Sequence, residues 1–183
     1  MKVITGQARG RILITVDGLD VRPTTQKVKE AVFSIIQFDV PYAKVLDLFC
    51  GSGQMGIEAL SRDADFCVFV DSSKKSQEVT KQNLVNTNLL KKARVVAMDY
   101  KSFLTTTKDT FDIAFLDPPY NKGILPEALP LLVQKMNDSG IILCEHEDNE
   151  EIPTQVGNFK LFRQYHYGRI CISTYKNCDA ENI

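Results

Sequence analysis

Hydrophobic positions follow two periods that alternate along most of the chain. Short apolar runs at 45–49, 66–70, 94–98, 111–116 and 141–144 read as strands. Between them the spacing predicts helices from about Gln54 to Leu60 and from about Ser73 to Asn88, and a short one over 100–105. A further stripe of Leu125, Ala128, Leu129, Leu132, Val133 and Met136 predicts a helix in which Pro130 marks either the first turn or a kink. Strands that are apolar on both faces need helices on both sides, joined by right-handed crossovers. The expected fold class is therefore α/β, a doubly wound Rossmann-like arrangement. Runs at 159–165 and 170–175, broken around Gly168, add a closing antiparallel hairpin, so a mostly parallel sheet of seven strands is expected.

The opening segment has a different rhythm. β-like runs at 2–5 and 11–16 flank Gly6-Gln7-Ala8-Arg9-Gly10 and predict a hairpin whose loop carries Arg9 and Arg11. Val28, Ala31, Val32, Ile35 and Ile36 then fall at helical spacing, with Thr24 or Thr25 as the capping residue after Pro23. The expected division is a hairpin-and-helix appendage over 1–40, an α/β domain over 41–176, and a polar, disordered tail over 177–183.

Composition narrows the setting. With 183 residues and 44% hydrophobic content, the chain suits one domain and a small appendage. The basic start lacks the apolar core of a signal peptide, and no stretch approaches the ~18 apolar residues of a membrane helix. The 5 cysteines are scattered, as small hydrophobes are in a reducing compartment. A cytoplasmic protein without disulfides and without a membrane partner is expected. Net charge is only −1, but it is unevenly placed. Lys2, Arg9, Arg11, Arg22, Lys27 and Lys29 outweigh Asp17, Asp20 and Glu30 near the start, whereas 137–151 holds acids and no Lys or Arg. One basic face suffices for docking on phosphates.

Two segments carry candidate chemistry. The first is Asp47-Leu48-Phe49-Cys50-Gly51-Ser52-Gly53-Gln54-Met55-Gly56, a glycine turn between a strand and a helix. Its glycines let the backbone approach a ligand and aim free N–H groups at it. Asp71, at the end of the next strand, is placed to accept the two hydroxyls of a ribose. Those features fit a nicotinamide dinucleotide as well as S-adenosylmethionine. Asp47 separates the two, because a carboxylate there repels a pyrophosphate and attracts the ammonium of a methionine moiety. Asp99 can accept from an adenine amine, with Tyr100 beside the ring; its alternative role is to cap the helix that follows.

The second segment, Asp117-Pro118-Pro119-Tyr120, follows the fourth strand and is the more specific signal. Consecutive prolines make a stiff turn with carbonyl acceptors and no competing N–H donors. An exocyclic amine on a base is a weak nucleophile, its lone pair delocalised into the ring. Bonds from its protons to the Asp117 carboxylate and a proline-turn carbonyl would localise that pair toward a sulfonium methyl. Tyr120 offers a face for an extruded base, worth about 1–3 kcal/mol.

With these motifs on view, the chain resembles the RsmD-type 16S rRNA guanine-N2 methyltransferases of the class I Rossmann-like superfamily. The resemblance is carried by Gly6 with Arg9-Gly10-Arg11, by Arg22-Pro23-Thr24-Thr25 with Lys29-Glu30-Ala31-Val32-Phe33, by the glycine turn with Gly56-Ile57-Glu58-Ala59-Leu60, and by Phe115 through Tyr120. It implies S-adenosylmethionine as cofactor, S-adenosylhomocysteine as product, and a monomer acting on rRNA of the small ribosomal subunit or an assembly intermediate. The catalytic set becomes Asp117, Pro118, Pro119 and Tyr120. The cofactor set becomes Asp47, Phe49, Gly51, Ser52, Gly53, Asp71, Ser72, Asp99, Tyr100 and Thr25. Arg9, Arg11, Arg22, Thr24 and Lys27 are expected on RNA. After Tyr167-Gly168 the family usually continues with an acid and Thr, whereas this chain has Arg169-Ile170.

Other readings are weaker. No metal is expected: Cys144-Glu145-His146 invites a ligand set, but the chain has 2 histidines and no Cys-x-x-Cys. A nicotinamide oxidoreductase conflicts with Asp47. An adenine-N6 methyltransferase acting on DNA or RNA shares the amine chemistry, and a non-catalytic RNA-binding assembly factor would have no use for the Asp-Pro-Pro-Tyr turn.

Overall fold

The computed structural model describes residues 1–16 and 26–178. Its central feature is a single sheet of eight strands: β1 (Lys44–Asp47), β2 (Phe66–Asp71), β3 (Ala93–Ala97), β4 (Phe111–Leu116), β5 (Met136–Glu147), β6 (Gln155–Val156), β7 (Phe159–Tyr167) and β8 (Ile170–Asn177). The spatial order is β3-β2-β1-β4-β5-β8-β7-β6. The first five strands pair in parallel, and β5–β8, β8–β7 and β7–β6 pair antiparallel. The order reverses between β1 and β4, the switch point at which sheets of this kind open a crevice beyond the strands' carboxyl ends.

Helices cover both faces. On one side α1 (Gln26–Ile35), α2 (Gln54–Ser61) and α3 (Lys74–Asn86) bury Val28, Val32, Phe33, Ile57, Leu60 and Leu84 against Val45, Cys67, Phe69, Ile113 and Phe115. On the other, α4 (Tyr100–Thr106) and α5 (Ile124–Leu132) bury Phe103, Leu104, Leu125, Leu129 and Leu132 against Leu46, Val68, Ala114 and Ile142. Strand alternation distributes successive residues between these two cores.

Three differences from the sequence reading have physical causes. The eighth strand, β6, has only two residues and leaves no periodic signature. Pro130 lies inside α5 and not in its first turn; its missing N–H costs one helical bond, and after Leu132 the chain tightens into a 3₁₀ turn before β5. Met136, expected on the helix, instead starts β5 and pairs with Phe111.

The predicted N-terminal hairpin is reduced to one antiparallel bridge, Lys2 to Ile12. Helix side chains replace the rest of the ladder. The N–H groups of Ile4 and Thr5 donate to the Glu58 carboxylate of α2 at 2.8 and 3.0 Å. Asn83 of α3 accepts from the Ile14 N–H and donates back to the Ile14 carbonyl. Glu58 is fully buried and also pairs with Arg62 at 2.9 Å and with Lys29 of α1 at 3.3 Å. Burial pushes the Lys29 amine below its ordinary value, an effect that Glu58 opposes. Lys29 also donates to the Lys2 carbonyl at 2.8 Å. The appendage is thus bolted to the helix that begins at the glycine turn.

Candidate active site

A cleft of about 570 Å³ opens at the switch point, within the ~300–1,000 Å³ usual for small-molecule sites. Both sequence motifs reach it: Asp47, Phe49, Gly51, Ser52, Asp71 and Ser72 form one wall, and Asp117, Pro118, Pro119 and Tyr120 another. Met1, Thr15 and Val16 of the N-terminal segment and Val32 of α1 close a third side. Leu143, Glu145 and Ile172, which the sequence reading did not place here, complete the wall from β5 and β8.

The first wall is organised by local backbone geometry. Gly53 has φ 78°, a left-handed conformation that starts α2. Gly56 packs directly on β2, where a Cβ would lie 2.3 Å from the Phe69 ring. The Asp47 carboxylate accepts the Gly56 N–H at 2.9 Å. Asp71 accepts Gly51 N–H on one oxygen at 2.9 Å and Ser73 N–H on the other at 2.8 Å, fixing its plane at the turn. Burial pushes the Asp47 carboxyl up to about 7; the Gly56 N–H lowers it and nearby Asp71 adds to the rise. No Lys or Arg among the described residues forms an ion pair with Asp47. A buried carboxylate with no cation partner among the described residues, facing a cleft, fits a ligand that brings its own positive charge.

The second wall is organised by tertiary contact. The Tyr120 hydroxyl donates to Glu145 at 2.6 Å. Glu145 is 8% exposed and sits on β5, beside β4. Beyond the turn, the Asn121 side chain donates to Glu147 at 2.6 Å.

Not every predicted residue comes to the cleft. Asp99 is exposed and caps α4, accepting the Ser102 N–H at 2.9 Å; the Ser102 side chain first, and then this N–H, hold its carboxyl below the ordinary value. Tyr100 packs its ring on cleft residue Phe49 at 5.4 Å and donates to Glu127 at 2.9 Å. Arg9 and Arg11 lie exposed on the 6–11 turn, and Lys27 is exposed on α1. Arg22, Thr24 and Thr25 lie outside the described residues. Cys144 points into the opposite core from Glu145, and both His146 ring nitrogens are engaged, with the Glu147 carbonyl and the Ser173 hydroxyl, each at 2.7 Å. Those three side chains therefore do not converge. The clearest missed residue is Glu145. Its signal was strand alternation, which sets it on the same face as Ile141 and Leu143 and leaves an acid where a hydrophobe is expected.

Sheet order, switch-point cleft and glycine turn together define a Rossmann-like methyltransferase. Residues 1–176 match the family model described as "Conserved hypothetical protein 95". The chain belongs to that family, the RsmD family of ribosomal RNA small subunit methyltransferases. It is 34% identical to ribosomal RNA small subunit methyltransferase D of Escherichia coli (strain K12), over 96% of this chain and 89% of that protein. It is 40% identical to the YlbH protein of Bacillus subtilis (strain 168), over 96% and 98% of the two chains. Among solved structures, the yhhF protein of Escherichia coli superposes with a TM-score of 0.87 at 35% identity, covering 97% of each chain.

Proposed function

We propose that this chain transfers a methyl group from S-adenosylmethionine to the exocyclic N2 amine of a guanine in bacterial 16S rRNA. One observation carries the reading: the glycine turn and the Asp117-Pro118-Pro119-Tyr120 turn line one cleft. The relatives named as small-subunit rRNA methyltransferases over nearly the whole chain support the RNA substrate.

The residues fit the cofactor. Asp47 offers its buried carboxylate to the methionine ammonium, Asp71 is held rigidly where ribose hydroxyls would bond, and Phe49 gives an apolar surface. When bound, S-adenosylmethionine supplies an electrophilic methyl on a sulfonium. The Asp117 carboxylate and a proline-turn carbonyl accept the protons of the amine, which turns its lone pair toward the methyl. The amine would take the methyl as the donor's carbon–sulfur bond gave its electron pair to sulfur, and Asp117 would pass the amine's surplus proton to water. Alignment supplies most of the acceleration, since holding reactants in a near-attack geometry is worth up to ~7–11 kcal/mol.

In this reading residues 1–40 face RNA, with Arg9, Arg11 and Lys27 on phosphates, and the protein acts in the cytoplasm as a monomer on the small subunit or its precursor. The test is transfer of tritiated methyl from S-adenosylmethionine to small-subunit particles, and to naked rRNA, from a strain lacking the gene. N2-methylguanine at one position is the expected product. Labelled N6-methyladenine, or no label on either substrate with the cofactor bound, would overturn it.

A further inference from the structure

The Asp-Pro-Pro-Tyr turn can clamp the protons of any exocyclic amine and does not distinguish guanine from adenine. The wall opposite it can. Glu145 is an almost fully buried acid lining the cleft, paired across to Ile172 of β8, and shares its strand face with Leu143. β4 and β5 run in register, Phe115 beside Leu143 and Leu116 beside Cys144. Asp117 directly follows the last paired residue of β4, Glu145 follows that residue's partner on β5, and both line the cleft. The Tyr120 hydroxyl, at 2.6 Å from Oε1, fixes the Glu145 side chain against the turn on which the amine is expected.

Resting on the function proposed above, we propose that Glu145 is the specificity-determining residue that selects guanine by accepting its N1–H. Guanine presents N1–H next to the N2 amine, a row of donors that suits two neighbouring carboxylates. Adenine, and any purine with an unprotonated N1 beside its amine, turns a lone pair toward Glu145. Both Glu145 oxygens act as acceptors in this arrangement, one of them already taking the Tyr120 hydroxyl, so the wrong base sets lone pair against lone pair where the right one gains a hydrogen bond. A carboxylate has lone pairs on two oxygens and can serve Tyr120 and a base at once.

The test compares guanine with 2,6-diaminopurine, which keeps the N2 amine but has an acceptor at N1. Each is built into the methylated position of small-subunit rRNA, assembled into particles and assayed with wild type and Glu145→Gln. Wild type should favour guanine by ~10- to 100-fold in kcat/KM, the scale of one hydrogen bond to a charged group. Gln can present an amide N–H to N1, so the variant should lose most of that preference or reverse it, while its S-adenosylhomocysteine affinity stays within a few-fold of wild type. A merely structural Glu145 would lower both rates together and leave the ratio unchanged. An unchanged ratio overturns the inference, as do equal wild-type rates on the two bases, a measurement that needs no variant at all. Failure of wild type to methylate guanine in particles would instead remove the function on which the inference rests.

Discussion

The two walls of the cleft are built by opposite means. On the glycine-turn wall, the two carboxylates are set by backbone N–H groups only a few or about twenty residues away, Gly56 on Asp47 and Gly51 and Ser73 on Asp71. On the Asp117–Tyr120 wall the prolines remove such donors, and Tyr120 is positioned by Glu145 from another strand. The first wall is anchored by backbone N–H groups. The second is anchored by a side-chain hydroxyl on a carboxylate. On the first wall the N–H groups are spent on holding two carboxylates, which then face the cleft as fixed acceptors.

The contrast breaks most sharply at Asp117. Asp117→Ala should lower turnover by at least ~100-fold, comparable to losing an electrostatic catalytic group, with S-adenosylhomocysteine affinity by calorimetry within about threefold of wild type. Asp71→Ala should do the reverse. It leaves the Gly51 and Ser73 N–H groups without their acceptor, so affinity should fall ~10- to 100-fold and the melting temperature by about 2–10 °C, since one orphaned partner costs ~1–3 kcal/mol.

Asp47 sharpens the comparison through pH. Its folded-state carboxyl, at about 7, lies above its ordinary 3.8. The neutral acid is therefore favoured by folding: the free protein keeps this contribution below the ordinary value and loses it as pH rises to about 7. Binding of an ammonium requires the anion. Affinity for S-adenosylhomocysteine should thus weaken below about pH 7, by up to ~10-fold per unit, and level off above it. Asp47→Asn should bind more weakly and show a flat profile between these limits. The smallest effect is expected for Tyr120→Phe, which removes the bond to Glu145 but keeps the ring: a loss of less than ~10-fold in kcat, with RNA affinity unchanged in a filter-binding assay.

The same division explains what could be read from the sequence. The strand–helix alternation, the switch-point cleft and the glycine turn follow from local periods and local turns, and the structure brings Asp47, Asp71 and Asp117 to one site as expected. The start of β5 was not legible. Asn137-Asp138-Ser139-Gly140 has the composition of a turn, yet it continues a strand held by a shifted register against β4. The N-terminal hairpin is shorter than expected for a related reason, because beyond its one bridge the partners of Ile4, Thr5 and Ile14 are Glu58 and Asn83, more than fifty residues away. Glu145 belongs with these, a residue whose role depends on which strand its neighbour is.

Placing β1 between β2 and β4 also sets a schedule for the newborn chain. β2 follows β1 closely, but the Lys44 N–H is satisfied by Asp112, 68 residues later. At elongation rates of up to ~20 residues per second, one edge of the central strand stays open for several seconds. Over that interval Glu58 and Asn83 have already emerged and can gather residues 1–16 onto α2 and α3. The first half of the molecule can assemble on the ribosome before the Asp117–Tyr120 turn has been translated.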